Sequence, residues 1–278
     1  MNASLDVVIP VLMPSAHISQ MRDKLSSICN RIKIIYVLDY KNGITPESKK
    51  LFSNNSNEVF IFGSFGSPGK ARNAGLKACT AEYVCFWDVD DSPKMTEFCK
   101  LIEADLLFGA DLIIGKWTTS NKKDRIHGNK PYELGLHPGV WRCIVKRNFI
   151  SNIQFAGTMW AEDQVFLAEI LLKSPTIWIL DSVLYEYFED SPNSLTNGFN
   201  YSDQLLEASR GCIQVLSNAR DSALSVIALM LVRQSLTMAK FGSIRSKIGA
   251  IKIVIITSYY FIKMSNKGRL LKPFFEWS

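Results

Sequence analysis

Three carboxylates close the most informative stretch of this sequence. Tyr83-Val-Cys-Phe-Trp87 is a short apolar run that ends in Asp88-Val-Asp90-Asp91, followed by Ser92 and Pro93. An apolar run of this length bounded by a turn signal reads as a buried strand. In open α/β sheets, ligands collect outside the carboxyl ends of strands. If the strand stays extended, Asp88 and Asp90 point to one side. Clustered negative charges repel unless a donor or a cation offsets them, and a hard divalent ion with carboxylate, water and phosphate ligands answers that need. The competing reading is an Asp-rich cap on a helix opening at Pro93. A second acidic pair, Glu162-Asp163, precedes Gln-Val-Phe166 and an apolar run. In a first helical turn such a pair complements the helix dipole. Neighbouring helical residues diverge by about 100°, so the two cannot share one task.

The elements that must position these acids alternate. Strands are expected at Leu5–Leu12, Ile32–Leu38, Val59–Phe62, Tyr83–Trp87 and Leu112–Trp117. Helices are expected at Ser15–Cys29, at Pro46, at Pro68–Cys79 and from Pro93 to about Phe108. Strands apolar on both faces and separated by helices indicate an α/β domain with a mostly parallel sheet. Residues 119–139 are polar and read as a long loop. Ala161–Lys173 reads as helix, followed by two β-rich pieces, Ile177–Leu180 and Val183–Phe188. The turn-rich Ser191–Gly198 marks a boundary near residue 200, which gives an α/β domain over 1–200 and a helical, basic region over 201–278.

With 278 residues, 47% apolar and 21% charged, the chain has ordinary globular usage, which excludes disordered and collagen-like readings. The net charge of +6 is unevenly spread. From Arg233 to Ser278 nine basic residues face one acid, Glu276, so the tail carries +8 and the rest −2. Six cysteines lie far apart without a C-x-x-C pair, which reads as reduced thiols in a cytosolic protein and not as a zinc site. The start, Met-Asn-Ala-Ser-Leu-Asp, runs straight into Val7-Val8-Ile9 and reads as a strand, not a secretory leader. No stretch supplies the ~20 uncharged apolar residues of a spanning helix.

Asp88-Val-Asp90-Asp91 resembles the D-x-D(D) motif of GT-A glycosyltransferases, in particular the large family 2. Gly66-Ser-Pro-Gly-Lys70-Ala-Arg72-Asn73-Ala-Gly75 with Ala81-Glu82-Tyr83 resembles that family's G-x-x-x-A-R-N-x-G…G-E-Y run, with Ala81 where Gly is usual. Val8-Ile-Pro10-Val resembles its opening strand and Val37-Leu-Asp39 the end of its second. The resemblance implies a GT-A, Rossmann-like fold for nucleotide-diphospho-sugars, with a C-terminal helical appendage. It implies that Pro10, Asp39, Arg72 and Asp88 bind the nucleotide, and that Asp90 and Asp91 hold Mn²⁺ or Mg²⁺. Arg72 has a structural alternative, an ion pair to one of these acids. Trp141-Arg-Cys-Ile144-Val-Lys146-Arg147, Ile153-x-Phe155 and Glu162-Asp163-x-x-Phe166 resemble the family's W-x-x-[IL]-x-[KR]-R…I-x-F…E-D-x-x-F segment. There the Asp of E-D is the general base of an inverting transfer, which assigns Asp163 as base and Glu162 as a contact either to the acceptor or to the residues around the base. Trp141, Trp160 and His137 are candidates to stack on or bond an acceptor sugar, with a core role as the alternative.

The pattern also departs. Tyr185-x-Tyr187-Phe188…Asn193-Ser194-Leu195-Thr196 resembles the segment that closes over the diphosphate, but Phe188 stands where Arg is common. The Q-x-x-R-W motif and spanning helices of processive synthases are absent from the sequence, so one sugar per encounter is expected. The basic, apolar tail suits the anionic inner face of the cytoplasmic membrane, or alternatively a helical subdomain or homo-oligomer interface. A nucleic-acid partner is not expected. The expected partners are a nucleotide-sugar donor and a lipid-linked, lipopolysaccharide or capsule glycan acceptor. One alternative is a catalytically weak family member serving as a partner subunit. Another is a haloacid-dehalogenase-type phosphotransferase using Asp88 as nucleophile, which Ser92 and Pro93 fit poorly.

Overall fold

The computed structural model describes residues 4–15, 17–26, 28–40, 52, 57–104, 107, 109–128, 133–188, 201–218 and 221–265. They form two compact units. The first comprises Met1–Asn129, Val140–Gly157 and Pro175–Ser191; the second comprises Lys130–Gly139, Thr158–Ser174 and Pro192–Ser278. The second unit is therefore not only C-terminal: it takes in two earlier segments, one of them carrying Glu162 and Asp163.

Among the described residues the first unit is built on one mixed sheet of nine strands: β1 (Leu5–Met13), β2 (Ile32–Tyr40), β3 (Glu58–Gly63), β4 (Tyr83–Phe86), β5 (Ser92–Pro93), β6 (Leu112–Thr119), β7 (Lys122–His127), β8 (Cys143–Lys146) and β9 (Ile177–Tyr187). The order is β3-β2-β1-β4-β8-β6-β9-β5, with β7 pairing to β6. The β3-β2-β1-β4 half is parallel. β8 then joins β4 to β6 by antiparallel pairing, and β9 runs parallel to β6. Because β2 and β4 flank β1 on opposite sides, their carboxyl ends bracket a topological switch point, where a crevice for ligand forms. Leu5, Val7, Ile9, Tyr36, Trp87, Ile113 and Tyr185 belong to one buried core with α1 (His17–Leu25), which contributes Ile18, Met21 and Leu25.

Helix α2 (Pro68–Ala78) starts where its sequence says it should. Pro68 occupies the first turn and the Ser67 hydroxyl accepts from Lys70 N at 3.3 Å. Gly75 lets this helix lie against the sheet, since a Cβ there would come 2.3 Å from a Val8 methyl. Helix α3 (Met95–Glu103) opens two residues later than expected. Pro93 instead sits in β5, paired with Tyr185 of β9, and Lys94 occupies the cap position without a side-chain bond. The capping role for Asp88–Asp91 is thereby removed.

Two further differences lie in the antiparallel half. β7 forms a hairpin with β6 inside the stretch expected to be loop. Its sequence, Lys-Lys-Asp-Arg-Ile-His, has no apolar alternation, as befits a charged edge strand. The two β-rich pieces after residue 177 are a single strand, β9, with the register irregularity opposite Ile114–Trp117.

In the second unit are α4 (Glu133–Leu136), α5 (Glu162–Leu172), α6 (Tyr201–Asn218), α7 (Asp221–Phe241) and α8 (Ile244–Ser265). α5 buries Val165, Phe166, Leu167, Ala168, Ile170 and Leu171. A buried polar chain ties α5, α6 and α7 together: Ser209 Oγ donates to Gln234 Oε1 at 2.6 Å, and Gln234 Nε2 donates to Gln164 Oε1. Ala223–Phe241 is long and apolar enough to cross a membrane by length and composition, although Arg233 and Lys240 interrupt it, and 56% of that window is buried. That burial is the pattern of a core helix. The helix expected at Pro46, the Asn193–Thr196 segment and residues 266–278 lie outside the described residues.

Candidate active site at the carboxyl edge of the sheet

At the end of β2, Asp39 is buried, and its two oxygens accept from Phe65 N at 2.8 Å and Gly66 N at 2.9 Å. Gly66 has φ +72°, a conformation that favours glycine. The carboxylate thus pins the turn that delivers Ser67 and the N-terminus of α2. From the second turn of α2, Arg72 donates to Asp88 Oδ1 at 2.6 Å while its guanidinium lies 5.5 Å from the Phe155 ring centre. Asn73 clamps the same Phe155 backbone in both directions, donating to its carbonyl at 2.9 Å and accepting its N–H at 2.8 Å. Adjacent motif residues therefore divide the work: one pairs with the first acid, the other fixes the backbone at Phe155.

The three acids do not follow an extended strand. β4 stops at Phe86, and Asp91 N donates to the Asp88 carbonyl at 3.3 Å, closing a turn. The expectation that Asp88 and Asp90 point one way because the strand continues does not hold, since the turn intervenes. Asp88 N donates to the hydroxyl of Tyr185, which is wholly buried. Asp91 is 2% exposed, and its Oδ1 accepts Phe188 N at 2.9 Å. Burial first, then the neighbouring Asp88 charge, push the Asp91 carboxyl well above the usual carboxylate range, and Asp90 adds to this. Asp90 is half-buried.

The donor set suits a hard divalent cation. Asp91 Oδ2 is buried and accepts no hydrogen bond, two more carboxylates crowd it, and all the ligand atoms would be oxygen. Among the described residues no three His, Cys, Asp or Glu side chains are grouped so that they alone could hold a metal ion. An ion here would therefore draw its other ligands from water and from a diphosphate, as Mg²⁺ usually does.

Of the remaining sequence candidates, Pro10 lies in β1 opposite Val37, next to the switch point. Trp141 is half-buried and stacks on Tyr185 (4.8 Å between ring centres) and Tyr187 (5.6 Å). Glu162 and Asp163 open α5 in the second unit, where Glu162 is buried and Asp163 half-buried, after Ala161 at φ 60°. His137 and Trp160 are half-buried in that same unit.

The sequence profile of glycosyl transferase family 2 matches residues 6–147, just over half of the chain. The chain belongs to this family. It is 30% identical over 156 residues to poly(ribitol-phosphate) beta-N-acetylglucosaminyltransferase TarP of Staphylococcus aureus, a match covering 50% of this chain and 45% of TarP. The chain thus spans less than half the length of that curated relative. The crystal structure of S. aureus TarS 1–349 in complex with UDP-GlcNAc superposes with a TM-score of 0.70, covering 92% of this chain and 81% of that one at 16% identity. The uncomplexed TarS 1–349 gives 0.67 over 96% and 83%. These likenesses show the fold, and they agree with the GT-A architecture expected from the motifs.

Within this family 2 domain, the structure adds residues that sequence reasoning did not assign. Lys24 of α1 lies with Nζ 5.8 Å from the Phe188 ring centre and donates to the Asp91 carbonyl at 3.4 Å. No local signal could have found it, because 67 residues separate Lys24 from Asp91. Tyr185 supports the Asp88 backbone, and Arg147 holds the Ala81–Glu82 turn through Nε to the Ala81 carbonyl at 2.6 Å.

Proposed function

We propose that this protein transfers a single sugar from a nucleotide-diphosphate sugar, with UDP-GlcNAc the first donor to try, to a hydroxyl of an anionic or lipid-linked surface glycan. The observation that carries the reading is the run of family 2 residues 6–147 ending its strands in Asp39, Asp88, Asp90 and Asp91 around one switch point. The name of the relative TarP supports a polyol-phosphate polymer as acceptor and a β-linked N-acetylglucosamine as product. From an α-linked donor, a β product follows from one displacement with inversion.

In this reading Asp163 accepts the proton of the acceptor hydroxyl as its oxygen bonds to the anomeric carbon. The bond from that carbon to the diphosphate breaks, and the nucleoside diphosphate leaves with the electron pair. Asp39 and Pro10 flank the nucleoside, and Arg72 holds Asp88 toward the ribose. Asp90 and Asp91 would hold Mn²⁺ or Mg²⁺, which would supply positive charge to the leaving diphosphate.

The test is a screen of nucleotide sugars for release of free nucleotide, with and without Mn²⁺ or Mg²⁺ and with poly(ribitol-phosphate) as acceptor. Asp163→Asn is expected to reduce turnover by at least about a hundredfold while leaving nucleotide binding intact. If the wild type binds nucleotide but releases none from any donor, and Asp163→Asn matches it, the partner-subunit alternative replaces this reading.

A further inference from the structure

Helix α8 has two faces of opposite commitment. Ser246, Ala250, Ile253 and Thr257 form its inner face and are 4% exposed or less. That face is anchored. Ser246 Oγ donates to Asp203 Oδ1 of α6 at 2.6 Å, and Gly249 permits so close an approach that a Cβ would lie 2.5 Å from a Leu206 methyl. These contacts fix the helix's rotation, and so fix which residues face outward.

Ile244, Ile248, Ile251, Ile255, Tyr259 and Ile262 face outward, each between 51% and 79% exposed. Their spacing of three and four residues places them within about 80° of one another, opposite the inner face. A soluble helix normally presents its polar side there. The cations of α8 flank this stripe: Arg245, Lys252 and Lys263 follow one border and Lys247 the other, with no acid in the helix. Long basic side chains beside an apolar stripe can lie along it and hold their charges at the level of phosphate headgroups.

We propose that the outer face of α8 is a membrane-surface contact, lying in the plane of an anionic bilayer with its isoleucines in the acyl boundary. Charge complementarity selects this occupant. A second copy of the chain would oppose the same cations to themselves across a two-fold interface, whereas an anionic headgroup layer offsets them. The inference concerns the helical unit and does not depend on the transfer chemistry.

The experiment is co-sedimentation of the full chain with sucrose-loaded vesicles of phosphatidylcholine alone and of phosphatidylcholine with phosphatidylglycerol, at low and high salt. The chain is expected to pellet with the anionic vesicles, to stay in solution with the neutral ones, and to be released by salt. Ile251→Glu with Ile255→Glu should weaken binding at least about tenfold. Lys252→Gln with Lys263→Gln should weaken it about 25-fold, roughly fivefold per charge. All four sites are on the surface, and unchanged circular dichroism verifies that the variants fold; the charge pair stands as the test if the isoleucine pair does not. Failure of the wild type to pellet with anionic vesicles overturns the proposal. Equal binding to neutral vesicles overturns it too. So does a wild-type dimer in light scattering that the isoleucine variant converts to a monomer, because the stripe would then be covered by a second copy.

Discussion

Asp39 and Asp91 are both acids buried at the carboxyl edge of the sheet, one beyond β2 and the other beyond β4, and they are held in opposite ways. Asp39 accepts one backbone N–H on each oxygen, so its charge is matched by two oriented dipoles. Asp91 accepts the Phe188 N–H on Oδ1 and has the Tyr185 hydroxyl as a further partner, but burial and the charges of Asp88 and Asp90 outweigh both, and its Oδ2 is buried without a bond. A satisfied buried carboxylate stabilises the turn it caps. A half-satisfied one among like charges costs stability in the absence of its ligand, and a fold keeps such a group where a ligand repays the cost. The contrast separates, within a single crevice, an acid whose charge the backbone already matches from one whose charge calls for a ligand.

Substituting each acid tests that separation. Asp91→Asn keeps the acceptor for Phe188 N–H and removes the charge. Donor turnover is expected to fall by about a hundredfold or more, and the rise in melting temperature with nucleoside diphosphate and Mn²⁺ should vanish. Without ligands this variant should melt about 2–4 °C higher than the wild type, the size of roughly 1 kcal/mol of relieved repulsion in a domain of this length. Asp39→Ala should do the reverse, lowering stability by about 2–4 kcal/mol for two lost charge-assisted bonds, read as a lower midpoint in urea. If Asp91→Asn destabilises as much as Asp39→Ala, the two acids are both anchors and the contrast collapses.

What the sequence discloses follows the same division between local and distant partners. The β3-β2-β1-β4 half is legible because each strand is a near-continuous apolar run punctuated by Pro, Gly or Asp. The motif Ala71-Arg72-Asn73 signals its site by type and spacing, although that Asn73 clamps Phe155 is visible only once the chain has folded. The antiparallel half escapes such reading. β7 is polar along its length, β8 is four residues long, and β5 is two residues that look like the start of a helix. These strands exist because neighbours pair with them, not because of their own patterning. The turn at Asp88–Asp91 is hidden for a related reason. Val89 continues the apolar alternation of β4, and only the Asp91-to-Asp88 hydrogen bond shows that the strand has ended.

Lys24 offers the finest test of how Asp91 is surrounded. Its ammonium lies beside the Phe188 ring and within reach of the Asp91 carbonyl, where the family resemblance would otherwise place an arginine from β9's end. A lysine reaching in from α1 can meet a diphosphate from that side, as a mobile point charge in place of a planar fork. Because Lys24 is exposed, its charge is screened and its contribution is small. Lys24→Ala is expected to raise the donor KM by about three- to tenfold, the scale of a surface cation, with kcat and melting temperature unchanged. Lys24→Arg should restore most of the loss, and added salt should narrow the gap between wild type and Lys24→Ala. A KM that does not move in Lys24→Ala would mean that this cation serves the Phe188 ring and the Asp91 carbonyl alone and that the diphosphate is met by other groups.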